Sequence, residues 1–201
     1  MDNINEVFAE YQGIYQKILG SFYPAKNSTG FPERNLSVNF SKAYEKAAET
    51  KGQKSISWFE LQFGERNRSH VDAVIINLSI NELLIVEAKR FSNPALKIKE
   101  ISKDIERIHR LAAELKTEDR IEMNKVKRCY GIVLADVWTE TDRKKQILES
   151  YKAGQKNPQD KESFINRYLP DLNLFNLQYD VRDISEIENY YLLSFWWKIL
   201  R

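Results

Sequence analysis

The chain has 201 residues, 42% of them hydrophobic, enough to bury one good core and best suited to a single domain with appendages. A formal net charge of +2 lacks the basic excess common in nucleic-acid binders, so any such role has to rest on local clusters. One cysteine, no hydrophobic stretch at the start and no apolar run of about eighteen residues give the expectation of a soluble, cytoplasmic chain with no membrane partner.

Residues 1–24 read as an amphipathic helix, with Val7, Ile14, Ile18 and Leu19 interleaved with Phe and Tyr, packing onto a core as an addition. Residues 35–50 predict a second helix: Leu36, Phe40, Ala43 and Ala47 recur at helical spacing, and Gly52 follows the end. Residues 57–63 alternate and are rich in aromatics, which predicts a strand; 64–70 form a turn or loop. Residues 71–76 and 83–89 are apolar runs of strand type, and 77–82 between them can hold the turn of an antiparallel hairpin. After the break at Ser92-Asn93-Pro94, residues 95–116 place Ile101, Ile105, Ile108, Ala112 and Leu115 on one helical stripe. Residues 129–135 predict another apolar strand, and 153–161 an exposed loop. Beyond it, residues 172–181 surround a strand. The aromatic run 190–200 reads as a strand with Tyr191, Leu193, Phe195, Trp197 and Ile199 on one face, with helix as the alternative. These aromatics finish the core beside the sheet, or else form a homodimer interface.

Within the hairpin, the acid Asp72 interrupts one apolar run, and Glu87-Ala88-Lys89 closes the other. Across an antiparallel pair the two acids meet, with the lysine two residues on along the same face. Two carboxylates so close repel each other unless a divalent cation lies between them. Burying three charges among Leu, Ile and Val is costly unless they are paired or ligated. The plainer alternative is a structural Asp72–Lys89 ion pair with Glu87 at a frayed strand end. Glu-x-Lys recurs at Glu49–Lys51 and Glu114–Lys116, but in charged, helix-like segments. No other catalytic set competes: His70 and His109 are far apart in sequence, Cys129 sits in the middle of a strand, and there is no Gly-rich phosphate loop, zinc spacing or Gly-x-Ser-x-Gly.

An Asp followed by Glu-x-Lys on the next strand, inside the order helix, strand, strand, strand, helix, strand, resembles the PD-(D/E)xK nucleases over about residues 33–136. The resemblance implies an α/β fold: a restriction-endonuclease-like core with a mixed central sheet flanked by helices. It implies one nuclease-like domain over 1–201, with 1–32 as an N-terminal helical addition and 137–201 as a C-terminal one. It further implies that Asp72, Glu87 and Lys89 are catalytic, and that Asp72, Glu87 and the Ala88 backbone carbonyl hold Mg²⁺ (or Mn²⁺). Such an ion activates water and neutralises the leaving oxygen of a phosphodiester. Lys89 would then hydrogen-bond the attacking water or offset charge in the transition state.

A further acid is expected near the first core helix. Gly30-Phe31-Pro32-Glu33-Arg34-Asn35-Leu36 resembles the opening of Holliday-junction-resolvase-like members, which makes Glu33 a candidate. An acid in a first helical turn also serves the helix dipole alone. Glu60, on the preceding strand, is its rival. Asp104-Ile105-Glu106-Arg107 is similar to an Asp-x-x-Arg pattern in some relatives, and Asp104 is expected first to pair internally, holding its helix on the sheet. Arg66, Arg68, His70, Lys97 and Lys99 are candidates for contacts to a nucleic-acid backbone, His70 being equally a surface histidine. Two functions follow: a metal-dependent nuclease acting on DNA in restriction, repair or mobile-element defence, or a catalytically silent nuclease-fold protein that binds nucleic acid or a partner protein.

Overall fold

The computed structural model describes residues 4–21, 31–63, 69–90, 94–115, 125–139, 173–180 and 189–200. The elements are α1 (Ile4–Ser21), α2 (Glu33–Glu49), β1 (Ser55–Phe63), β2 (Ser69–Asn77), β3 (Glu82–Arg90), α3 (Pro94–Glu114), β4 (Arg128–Thr139), β5 (Asn173–Asp180) and β6 (Asn189–Leu200). From α2 to β4 this is the order that the periodicities predict. The aromatic C-terminal run is a strand.

Every residue of β3 from Glu82 to Ala88 is buried, as befits a strand covered on both faces. It is the third of six strands in the order β1-β2-β3-β4-β6-β5. β3 and β4 run parallel, and all other neighbours are antiparallel. The result is an α/β fold with a mixed sheet. Parallel neighbours cannot be joined by a tight turn, and α3 is the crossover between them. Among the described residues no helix is long and apolar enough to cross a membrane.

Side-chain alternation along the central strands separates two cores. Leu84, Val86 and Ala88 of β3, with Tyr130, Ile132 and Leu134 of β4, pack against Phe8, Tyr11, Tyr15, Leu36 and Phe40 of α1 and α2. Leu83 and Ile85, with Cys129, Val133 and Ala135, pack against the predicted α3 stripe of Ile101, Ile105, Ile108, Ala112 and Leu115. Odd-numbered positions of β3 therefore face α3, and Glu87 and Lys89 continue that row. The sequence reads α1 as amphipathic, with aliphatic residues interleaved with Phe and Tyr. Phe8, Tyr11 and Tyr15 are its most buried side chains, and Phe40 of α2 meets both Phe8 and Tyr11.

The end of the sheet away from Lys89 is closed by polar side chains. Tyr44 of α2 donates to Glu82 Oε1 at 2.8 Å, and Asn77 Nδ2 donates to Gln53 Oε1 at 2.9 Å. Arg128 lies 3.6 Å from Glu82 Oε2. Burial first, and then Glu82, push the Tyr44 hydroxyl well above its usual value, so it remains a donor.

β6 lies between β4 and β5, and its aromatics serve both cores: Trp196 packs toward α1 and α2, Trp197 toward α3. A Cβ at Gly131 would stand 2.3 Å from the Trp197 ring, so the indole approaches β4 this closely only because that position has no side chain. Gly131→Ala is expected to lose about 1–3 kcal/mol in urea denaturation, most of which Gly131→Ala combined with Trp197→Leu recovers relative to Trp197→Leu alone. A Gly131→Ala chain as stable as the parent would contradict this packing.

Candidate active site

The pairing of β1 with β2 runs from Phe59↔Ala73 to Leu61↔Val71 and skips Glu60 and Asp72. The pairing of β2 with β3 ends at Ala73↔Val86, one position short of Asp72 and Glu87. Glu60, Asp72 and Glu87 thus occupy successive places across three strands, where the ladder opens. Glu60 has a φ of 53°, in the left-handed region that non-glycine residues seldom adopt. β1 also changes sides here: Phe59 packs with the α1–α2 core, whereas Leu61 and Phe63 pack with α3.

Where β2 departs, side chains take over the backbone donors of β3. The Ala88 N–H donates to Asp72 Oδ2 at 2.6 Å, and the Arg90 N–H donates to Glu33 Oε1 at 2.9 Å. Buried donors need partners, and two carboxylates supply them. N–H and C=O of one strand residue point to the same side, so the Ala88 carbonyl faces this same opened edge.

Four charges lie between β3 and α3. Arg107 Nη1 donates to Glu87 Oε1 at 2.9 Å, and Arg107 Nη2 donates to Asp104 Oδ1 at 2.9 Å. Lys89 Nζ is 3.4 Å from Asp104 Oδ2. The Glu87 side chain is 1% exposed and that of Asp104 2%, against 27% for Arg107. Burial, then Asp72 and Asp104, push the Glu87 carboxyl up to about 9, although Arg107 and Lys89 pull the other way. Burial also raises Asp104 to about 6 against the two cations, and raises Asp72 against the Ala88 N–H and Lys89. Burial alone would lower the Lys89 ammonium, but Asp104, Glu33, Glu87 and Asp72 outweigh it and raise it. Lys89 is therefore a resident positive charge.

The structure brings together Asp72, Glu87, Ala88 and Lys89, with Glu33 adjoining through Arg90. Asp104 pairs internally, as its place on the helix suggests. The plainer expectation of an Asp72–Lys89 pair gives way to Lys89–Asp104, because α3 sets Asp104 directly over the lysine. Glu60 is half exposed and lies 3.4 Å from His70 Nε2. His70 is exposed on β2 and belongs to the strand, not to the loop expected at 64–70. Arg66 and Arg68, and the side chains of Lys97 and Lys99, lie outside the described residues. Among the described residues no three or more His, Cys, Asp or Glu groups are arranged to hold a metal ion. Arg107 as the partner of Glu87 was not read from the sequence; its one visible signal was its place three residues after Asp104.

Compared with protein-family models, curated proteins and solved structures, the chain matches none.

A carboxyl whose value is raised in the folded chain binds its proton more tightly there than in the unfolded chain, so stability falls as pH rises through that window. Without divalent metal, the melting temperature is expected to drop as pH rises from 4.5, the ordinary glutamate value, to about 9. Glu87→Gln should remove most of that slope. A parent melting temperature that stays level over this range would contradict the buried, crowded carboxyl.

Proposed function

We propose that this chain is a metal-dependent nuclease of the PD-(D/E)xK kind, hydrolysing phosphodiester bonds of DNA. On this reading α2–β1–β2–β3–α3–β4 is a restriction-endonuclease-like core, and α1, β5 and β6 are additions to it. The observation that carries the proposal is that Asp72 and Glu87 lie one position beyond the last β2–β3 pair, where the ladder opens, with Lys89 one pleat further along β3. Each acid keeps one oxygen, Asp72 Oδ1 and Glu87 Oε2, outside the hydrogen bonds described above.

These donors fit Mg²⁺ or Mn²⁺, hard ions that take one or two carboxylates and retain several waters. When bound, such an ion supplies activated water and neutralises phosphate oxygens. Asp72 and Glu87 would hold it, and the Ala88 carbonyl faces the same edge. The Ala88 N–H fixes the rotamer of Asp72, so that acid is oriented before anything binds. Lys89, kept charged by the surrounding acids, offsets the negative charge that builds on the phosphate in the transition state. Glu33 is assigned a positioning role, holding the end of β3 through Arg90. Glu60, turned to His70, is left as a neighbour of the site.

A second reading, a silent nuclease-fold protein that binds nucleic acid or a partner, is favoured by one observation: Glu87 already has a cationic partner in Arg107. One assay separates the two. Linear, circular, single-stranded and branched DNA are incubated with the chain in Mn²⁺, in Mg²⁺ and in EDTA. Cutting is expected with either metal and not with EDTA, and Lys89→Ala or Asp72→Asn should slow it by about 10²-fold or more. DNA binding without metal-dependent cutting, or cutting that Lys89→Ala leaves unchanged, would remove the proposal.

A further inference from the structure

We infer that Arg107 is a built-in stand-in for the divalent cation: it holds Glu87 in the metal-free chain, and an incoming cation gains that carboxylate by displacing one arm of the guanidinium. This inference rests on the nuclease reading above. Glu87 is almost fully buried beside the acids Asp72 and Asp104, and whenever it is ionised such a carboxylate needs a positive partner. Arg107 is that partner at 2.9 Å.

The fork of Arg107 is divided. Nη1 binds Glu87, and also lies 3.4 Å from the His70 carbonyl oxygen, while Nη2 binds Asp104. Losing Glu87 therefore leaves one arm with only the long contact to the His70 carbonyl and the other anchored on α3. The guanidinium has an open side to turn toward, since Arg107 is 27% exposed where Glu87 and Asp104 are sealed. Asp72, Asp104 and the neighbouring Glu33 outnumber Lys89 and Arg107 whether or not Glu87 carries its proton, so the unloaded site is repulsive to a phosphodiester. A divalent cation offsets that excess, and the displaced arm of Arg107 then stands at the site as a donor for a phosphate oxygen. The exchange would make the site attractive to its substrate only when it is loaded.

The competing role for Arg107 is to orient Glu87 and stay on it when metal binds, and the two roles predict opposite signs. Mn²⁺ binding to the full chain, stripped with EDTA, is measured by titration calorimetry for the parent, Arg107→Gln, Arg107→Lys and Glu87→Gln. Removing a competing unit charge should tighten Mn²⁺ binding to Arg107→Gln by about tenfold. Its metal-free melting temperature should fall below that of the parent, and saturating Mn²⁺ should close most of the gap. Arg107→Lys, which keeps the charge without the fork, should fall between the two. It tests the same sign if the glutamine chain shows no folding transition. Equal or weaker Mn²⁺ binding by Arg107→Gln and Arg107→Lys, with the parent still cutting DNA in Mn²⁺, would overturn the stand-in role alone. No Mn²⁺ binding by the parent, indistinguishable from Glu87→Gln, would overturn this inference and the nuclease reading together.

Discussion

Two buried acids from different elements, Glu87 on β3 and Asp104 on α3, are held by two cations placed between them, Lys89 and Arg107. The rest of the site depends on this exchange. Each element contributes both signs: β3 offers an acid and a lysine, and α3 returns an arginine and an acid. Removing any member leaves a buried charge uncompensated, which is far more costly than the net worth of the pair. The apolar stripe that seats α3 on the sheet thereby fixes the register of the charges as well, because Asp104 and Arg107 are interleaved with Ile101, Ile105 and Ile108 on one face.

Much of this was legible in the sequence, for physical reasons that differ from element to element. The order from α2 to β4 could be read because the period of apolar residues switches between 3.6 and 2 with clear breaks at Gly52 and Pro94. Asp72 and Glu87 stood out because acids seldom interrupt runs of Val, Ile and Leu without a partner. The pairing of Glu87 with Arg107 was not legible, since it depends on the rotation of α3 about its axis, which the width of the apolar stripe leaves open by tens of degrees. The Tyr44–Glu82–Asn77 network was missed for a related reason: Glu82 looked like the end of a turn, whereas it is 3% exposed and the first residue of β3. Nor does local pattern show that β6 enters the sheet between β4 and β5. Strand order is a matter of long-range pairing.

The opening of the ladder beside the site has a cause in the backbone. A non-glycine residue in the left-handed region costs of order 1–3 kcal/mol and persists where its surroundings over-determine it. At Glu60 the reason is the change of sides along β1, which lets Leu61 and Phe63 leave the α1–α2 core for the α3 core. Beside it the β2–β3 ladder ends, and Asp72 and Glu33 accept from the Ala88 and Arg90 N–H groups. The kink in an outer strand and the oriented Asp72 on the next strand are thus neighbours across the sheet.

The indole of Trp197 bridges two elements: its Nε1 donates to His109 Nε2 at 3.2 Å on α3, and its ring rests on Gly131 of β4. A single chromophore therefore spans the joint between the helix that carries Asp104 and Arg107 and the sheet that carries Glu87 and Lys89. Burial lowers the basicity of His109, so the imidazole stays neutral at physiological pH and accepts from the indole. With Trp58, Trp138 and Trp196 replaced, the emission of Trp197 would serve as an intrinsic optical gauge of how α3 is seated.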